Sequence, residues 1–161
     1  MVVTMIGSAR FEPWFRIWNE ALTRAGHNVF GPSAKPCAAV KAIGSSVSTL
    51  QIAASEAVLV MNVFAYVGET TLQELAEAHR LGKRVFTLES WGIGNGIGRN
   101  HYQRVQDAAK KYGVPEGFGS PFDARQGPNG FAYSLLGEGG PERSALVDFI
   151  HEREAELVGR E

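Results

Sequence analysis

A single cysteine, Cys37, is all the thiol this 161-residue chain carries. No internal disulfide can form, so the fold must rest on packing, and a reducing compartment fits. Cys37 follows Ser33-Ala34-Lys35-Pro36 with no second Cys or paired His nearby, which gives no zinc spacing and nothing adjacent to lower its thiol pKa. The histidines, His27, His79, His101 and His151, are scattered over different segments, and no metal site is expected. An excess of charge is missing too: 16 basic against 17 acidic residues leave a formal net charge of -1. Such a chain has no global field to gather a nucleic-acid polymer or an anionic membrane. No apolar run approaches the ~20 residues of a membrane helix. Met1–Ile6 is apolar but short and lacks the basic flank of a signal peptide. No Gly-Lys-Ser/Thr occurs, which excludes a P-loop. The glycines from Gly92 to Gly98 miss the dinucleotide-binding register, because Ile97 stands where its third glycine belongs. The expectation is a cytoplasmic protein that needs no metal or organic cofactor and holds a small ligand in a cleft.

What is present is a globular composition, 44% hydrophobic and 20% charged, in one domain's length of chain. Val2–Ile6 is a continuous β-branched-rich run of the kind buried on both faces of a parallel sheet. A loop, residues 7–12, precedes Pro13, which suits a helix start. Trp14, Trp18, Leu22 and Ala25 then recur at helical spacing and read as core, and Gly26 ends the helix. Asn28–Phe30 reads as a short strand, and a small-residue linker, 33–46, leads to a short helix through Leu50 and Ile52. Ala57–Met61 is the strongest strand signal. Thr71–Leu81 reads as a helix broken by Gly82-Lys83, followed by a strand over Arg84–Leu88. Strands separated by helices at this spacing predict right-handed crossovers and a doubly wound parallel α/β sheet, flavodoxin- or Rossmann-like, of four to five strands in the order 2-1-3-4. A polar helix over 100–112, an irregular Gly- and aromatic-rich segment over 113–140 and a closing helix over 141–158 complete a single domain, its core spanning 1–112. In such sheets ligands bind beyond the carboxyl ends of the strands where the order reverses, here the loops after strands one and three.

The second of those loops runs into Tyr66-Val67-Gly68-Glu69-Thr70-Thr71-Leu72-Gln73-Glu74. A glycine turn before a helix offers unpaired amides to an anion, and the positive helix end keeps an early carboxylate ionised. An ionised carboxylate near a sugar C1 can act as a nucleophile, as in retaining glycosidases. The competing reading makes Thr71-Leu72-Gln73-Glu74 a capping box, with Glu74 closing onto the N-cap amide.

The pattern Gly68-Glu69-Thr70-Thr71-x-x-Glu74-x-x-x-Ala78, then Leu81-Gly82-Lys83-x-Val85, together with Ile6-Gly7-Ser8-Ala9-Arg10-Phe11, resembles the nucleoside 2-deoxyribosyltransferase-like superfamily over about residues 2–88. Members are α/β proteins that break nucleoside or nucleotide N-glycosidic bonds by base transfer or hydrolysis. The resemblance implies that Glu74 is the nucleophile, that Gly7, Ser8 and Arg10 hold a 5′-phosphate, and that Gly68 and Thr70 contact sugar or phosphate. No aspartate precedes Glu74, so the supporting polar role falls to Asn62 or Glu69. Phe11 and Tyr66 complete the candidate substrate contacts, Tyr66 reading either as a partly packed loop aromatic or as a residue lining the base. It also implies a homodimer or larger assembly whose neighbouring subunit completes the site. Two other classes remain: a non-catalytic nucleotide-binding module of the same fold, and an interaction protein using the aromatics from Phe118 to Tyr133.

Overall fold

The structure is a computed structural model and describes residues 1–31, 49–63, 66–89, 107, 110–113 and 130–159. Cys37, Trp91, the glycines 92–98, His101 and most of the aromatic segment (Phe118 and Phe122 included) lie outside these. Five parallel strands form the sheet: β1 (Val2–Ile6), β2 (Asn28–Phe30), β3 (Ala57–Val60), β4 (Arg84–Thr87) and β5 (Gly130–Phe131). Their order is β2-β1-β3-β4-β5. The chain therefore has the doubly wound α/β architecture the alternating pattern predicts. The fifth strand emerges inside the segment read as irregular, because two residues are too few for any periodicity to show.

Helices cover both faces. Helix α1 (Glu12–Arg24) and α4 (Pro141–Val158) pack on one side, with a 3-10 segment at Ala132–Leu136; residues 49–54 (α2) and α3 (Glu69–Arg80) lie on the other. β3, buried along its whole length, shows why its run is continuous. Ala57 and Leu59 join the cluster under α1 and α4, while Val58 and Val60 join the cluster under α3. Alternate residues of a strand point to opposite faces, so a strand covered twice has no polar side.

Within α1 the residues that reach the sheet are Phe15, Ile17, Trp18, Ala21 and Leu22. Trp18 and Leu22 are fully buried, in keeping with the core reading; Trp14 is only partly covered. The helix begins at Glu12 with Pro13 in its first turn, one residue ahead of the sequence reading. Helix α3 closes through Gly82 (φ 68°), whose amide donates to the His79 carbonyl while Lys83 donates to Ala78. That pair of bonds needs a left-handed residue, which glycine adopts without steric cost. The closing helix matches its predicted bounds. No helix among the described residues is long and apolar enough to cross a membrane.

Candidate functional site

β1 and β3 are neighbours, with Ile6 opposite Val60, while the connections from β1 and from β3 leave in opposite directions along the sheet. The strand order thus reverses between them, and a crevice at their carboxyl ends follows from the topology. The loops that leave these ends touch. A Cβ on Gly7 would come within 3.1 Å of Met61 Cβ and of Phe15 Cζ and 3.2 Å of the Met61 carbonyl oxygen. Only a residue without a side chain lets the two loops approach this closely.

After Gly7 the chain makes a 3-10 turn over Ala9–Phe11. Ser8 caps it by accepting the Arg10 amide on Oγ (3.4 Å), and the Phe11 amide donates to the Ser8 carbonyl at 3.0 Å. The Ser8 hydroxyl proton is not used by this cap. The turn lifts Arg10 into solvent and directs Phe11 inward. The Arg10 guanidinium lies over the Tyr66 ring, 4.3 Å from its centroid. Phe11 meets Tyr66 edge-on at 5.9 Å and Trp14 at 5.8 Å. A cation over an aromatic face is attracted by the ring quadrupole. Arg10, Phe11 and Tyr66, separated by more than fifty residues in sequence, are thereby one cluster at the crevice.

Gly68 is the N-cap of α3, with Leu72 donating to its carbonyl at 3.1 Å and no side-chain cap bond. Glu69 and Thr70 form the exposed first turn beside the Tyr66 loop. Their amides have no acceptor within the helix, and the carboxylate of Glu69 sits where the helix dipole favours a negative charge. The helix starts two residues earlier than its sequence pattern indicates. This corrects the capping-box reading: Thr71 is buried in the first turn and is not the N-cap, so Glu74 is not the third helical residue. Glu74 is the sixth, in the second turn, half-buried, on the flank it shares with Thr71 and Ala78. It is neither sealed in the core nor swung out from the protein.

Asn62 has a different occupation. Its Oδ1 accepts the amides of Leu88 (2.9 Å) and Glu89 (3.1 Å), and its Nδ2 donates to the Glu89 carbonyl (2.6 Å). Buried at 1% exposure, the side chain ties the chain leaving β3 to the chain leaving β4. The geometry brings Gly7, Ser8, Arg10, Phe11, Tyr66, Gly68, Glu69 and Thr70 to one edge of the sheet and gives Asn62 the task of holding that edge together. Thr87, opposite Val60 at the end of β4, adds a fully buried hydroxyl with no hydrogen-bond partner among the described residues.

Sequence reasoning did not single out a second group of side chains near this edge. Trp18 donates from Nε1 to Glu154 of α4 at 3.1 Å. Tyr133 meets Trp18 edge-on at 5.0 Å, and His151 tilts against Tyr133 at 5.8 Å. Burial pushes the Glu154 carboxyl up; the Trp18 bond and His151 oppose the shift, and the Glu89 carboxylate adds to it. Tyr133 is pushed up to about 12, chiefly by burial and also by the Glu154 charge. Glu89, the second residue past β4, could have been marked from its place at the carboxyl edge. Glu154 could not, since only the docking of α4 on α1 buries it.

The raised Glu154 value fixes a sign. The folded chain holds this proton more tightly than the unfolded one, so its contribution to stability is greatest below the ordinary carboxylate pKa. That contribution is lost as pH rises through the raised folded value. Glu154→Gln keeps an oxygen acceptor for Trp18 but carries no charge. Thermal melts of both proteins from pH 4 to 8 are expected to show the variant more stable at the upper end and less sensitive to pH. A variant that loses stability most at pH 8 contradicts this.

No family model and no curated protein matches this sequence.

Proposed function

We propose that the protein cleaves the N-glycosidic bond of a nucleoside or, in preference, a nucleoside 5′-monophosphate, by hydrolysis or base transfer, with Glu74 as nucleophile. What supports this reading is a half-buried Glu74 on the helix that follows β3, a helix whose entry loop carries Tyr66 beneath Arg10 of the loop after β1. The resemblance of residues 2–88 to the nucleoside 2-deoxyribosyltransferase-like superfamily points the same way. In this proposal the carboxylate attacks C1′ while the C–N bond breaks and its electron pair leaves with the base, which takes up a proton. The resulting glycosyl ester is resolved by water, releasing the sugar, or by a second base, giving a new nucleoside. Arg10, the Ser8 hydroxyl and the Gly7 backbone would take the phosphate, an arginine being suited to bidentate charge-assisted bonds. Binding energy gathered there would orient C1′. The amides of Gly68–Thr70 would meet the sugar, and Phe11 and Tyr66 the base. The single cysteine accords with a cytoplasmic enzyme, and a homo-oligomer would let a second copy close the crevice.

A non-catalytic nucleotide-binding module is the second reading, favoured by one observation. Asn62, one of the two residues read as standing in for a supporting acid, already has both amide atoms bonded to backbone. The deciding experiment incubates the protein with a panel of nucleosides and their monophosphates, with and without an acceptor base, and separates the products by chromatography. Free base or a new nucleoside supports catalysis. Thermal stabilisation by a monophosphate with no turnover supports the binding module.

Arg10→Ala is expected to weaken a monophosphate by roughly tenfold or more and its nucleoside by much less, since a hydrogen bond to a charged group contributes about 1.5–3 kcal/mol. Titration calorimetry with both ligands reads the difference. Equal losses would remove the phosphate role.

A further inference from the structure

Helix α1 has two unlike faces. Phe15, Trp18, Ala21 and Leu22 go into the core. On the outside Glu12, Arg16, Glu20 and Arg24 follow one another at intervals of four, each about half exposed or more. Residues four apart form an inclined ridge, and ridges of this kind dock helices together in the commonest packing class. The charges along this ridge alternate strictly: negative, positive, negative, positive. Within the chain they join as two pairs, Arg16 with Glu12 and Arg24 with Glu20. Exposed pairs contribute little to the stability of a single chain, so the fold does not require the alternation.

Beside the ridge lies a groove between α1 and α4, of about 440 Å³, bordered by Glu12, Arg16 and Glu20. Its apolar lining comes from Pro13, Ile17, Phe149 and Leu157. The α4 rim carries Arg153 and Glu156, again a pair of opposite sign. The half-buried Phe149 ring has the Arg24 guanidinium 4.8 Å and the Arg153 guanidinium 5.5 Å from its centroid. Val158, next to Leu157, is 54% exposed. Aromatic and arginine side chains are the types enriched where proteins meet.

We infer that this face binds a second copy of the chain, α1 against α1, in an antiparallel two-fold dimer. The charge row selects that occupant. A two-fold axis perpendicular to α1, passing between Arg16 and Glu20, reverses the row. It sets Glu12 against the partner's Arg24 and Arg16 against the partner's Glu20, and the same two contacts recur with the copies exchanged. All four are of opposite sign. A two-fold axis along the helix sets Glu12 against the partner's Glu12 and Arg16 against the partner's Arg16, which repel. The pattern therefore favours one closed, self-complementary contact and disfavours its parallel alternative. The apolar groove shares the residues of the ridge, so the same contact removes its lining from water, which is favourable in itself. This gives the proposed homo-oligomer a surface, and it stands whether or not Glu74 is a nucleophile.

Sedimentation velocity on the full chain, at low and at high salt, tests the inference. At roughly 100 μM, where even a micromolar interface is mostly filled, the parent is expected to be a dimer. High salt should loosen it several-fold, since exposed charges are screened. Arg16→Glu sets two carboxylates against each other at both ends of the contact, and Glu20→Arg sets two guanidinium groups against each other. Each variant should dimerise roughly tenfold or more weakly than the parent. An equimolar mixture of the two should recover the dimer, because every contact in the mixed pair is again of opposite sign. Both positions are exposed, and a melting curve for each variant confirms that it is folded. A parent that stays monomeric at that concentration overturns the inference. So does either variant dimerising as well as the parent, or a mixture of folded variants that recovers no dimer.

Discussion

Glu74→Gln is expected to abolish base release while leaving substrate binding largely intact. Glutamine keeps the shape and the polar atoms of glutamate but cannot form a glycosyl ester that turns over. For a residue that supplies the covalent step, replacement of the nucleophile can cost on the order of 10⁶-fold in kcat. KM should move little, because the proposal assigns the sugar and phosphate contacts to Gly68–Thr70 and to Arg10. The second turn of α3 is well suited to this substitution: Glu74 is half-buried, and Leu72, Leu75 and Ala78 carry the packing of the helix against β3 and β4. A folded Glu74→Gln protein releasing base at the parental rate would end the nucleophile assignment. A melting temperature close to the parent's is needed for the comparison, and the burial pattern gives reason to expect it.

The largest expected change in stability comes from Trp18→Ala. Trp18 is fully buried against the sheet, meets Tyr133 edge-on and donates to Glu154, so it joins α1, α4 and the 3-10 segment at one point. Truncating a buried tryptophan to alanine costs about 3–5 kcal/mol through lost transfer energy and the cavity left behind. For a domain of this size that corresponds to a fall in Tm on the order of 10 °C. Trp18→Phe separates the two contributions. It fills most of the space but removes the N–H, so Glu154 loses the bond that favours its ionised form. The folded carboxyl then holds its proton more tightly still, and the loss of stability between pH 4 and 8 should be steeper than in the parent. Melting curves across that range decide it, and a Trp18→Ala protein melting within about 2 °C of the parent would contradict this packing role.

How far each feature was legible depended on the range of the interactions behind it. β1 and β3 were legible because a strand buried on both faces shows no polar alternation, a local property of Ala57–Val60 and of Val2–Ile6, where Thr4 alone is polar. The bounds of α4 followed from Pro141, which suits a first turn. The start of α3 was misplaced because Thr71 looks like a cap: the hydroxyl is polar, yet the fold buries it at 3% exposure and gives the N-cap to Gly68. β5 escaped notice because a two-residue strand exists only through its pairing with Phe86 and Thr87.

By itself the sequence determined the class of fold and the two loops at its reversal point, for alternating apolar runs and helical patterns are written residue by residue. It also marked Gly7, Arg10 and Glu74 through their places in those loops and the helix that follows. The tertiary structure alone decided what the side chains do there. It stacked Arg10 on Tyr66 and engaged Asn62 with the backbone after β4. It also half-buried Glu154 beside Trp18. Each of these pairs elements distant along the chain, and the energy of a contact, unlike a propensity, has no value until both partners are in place.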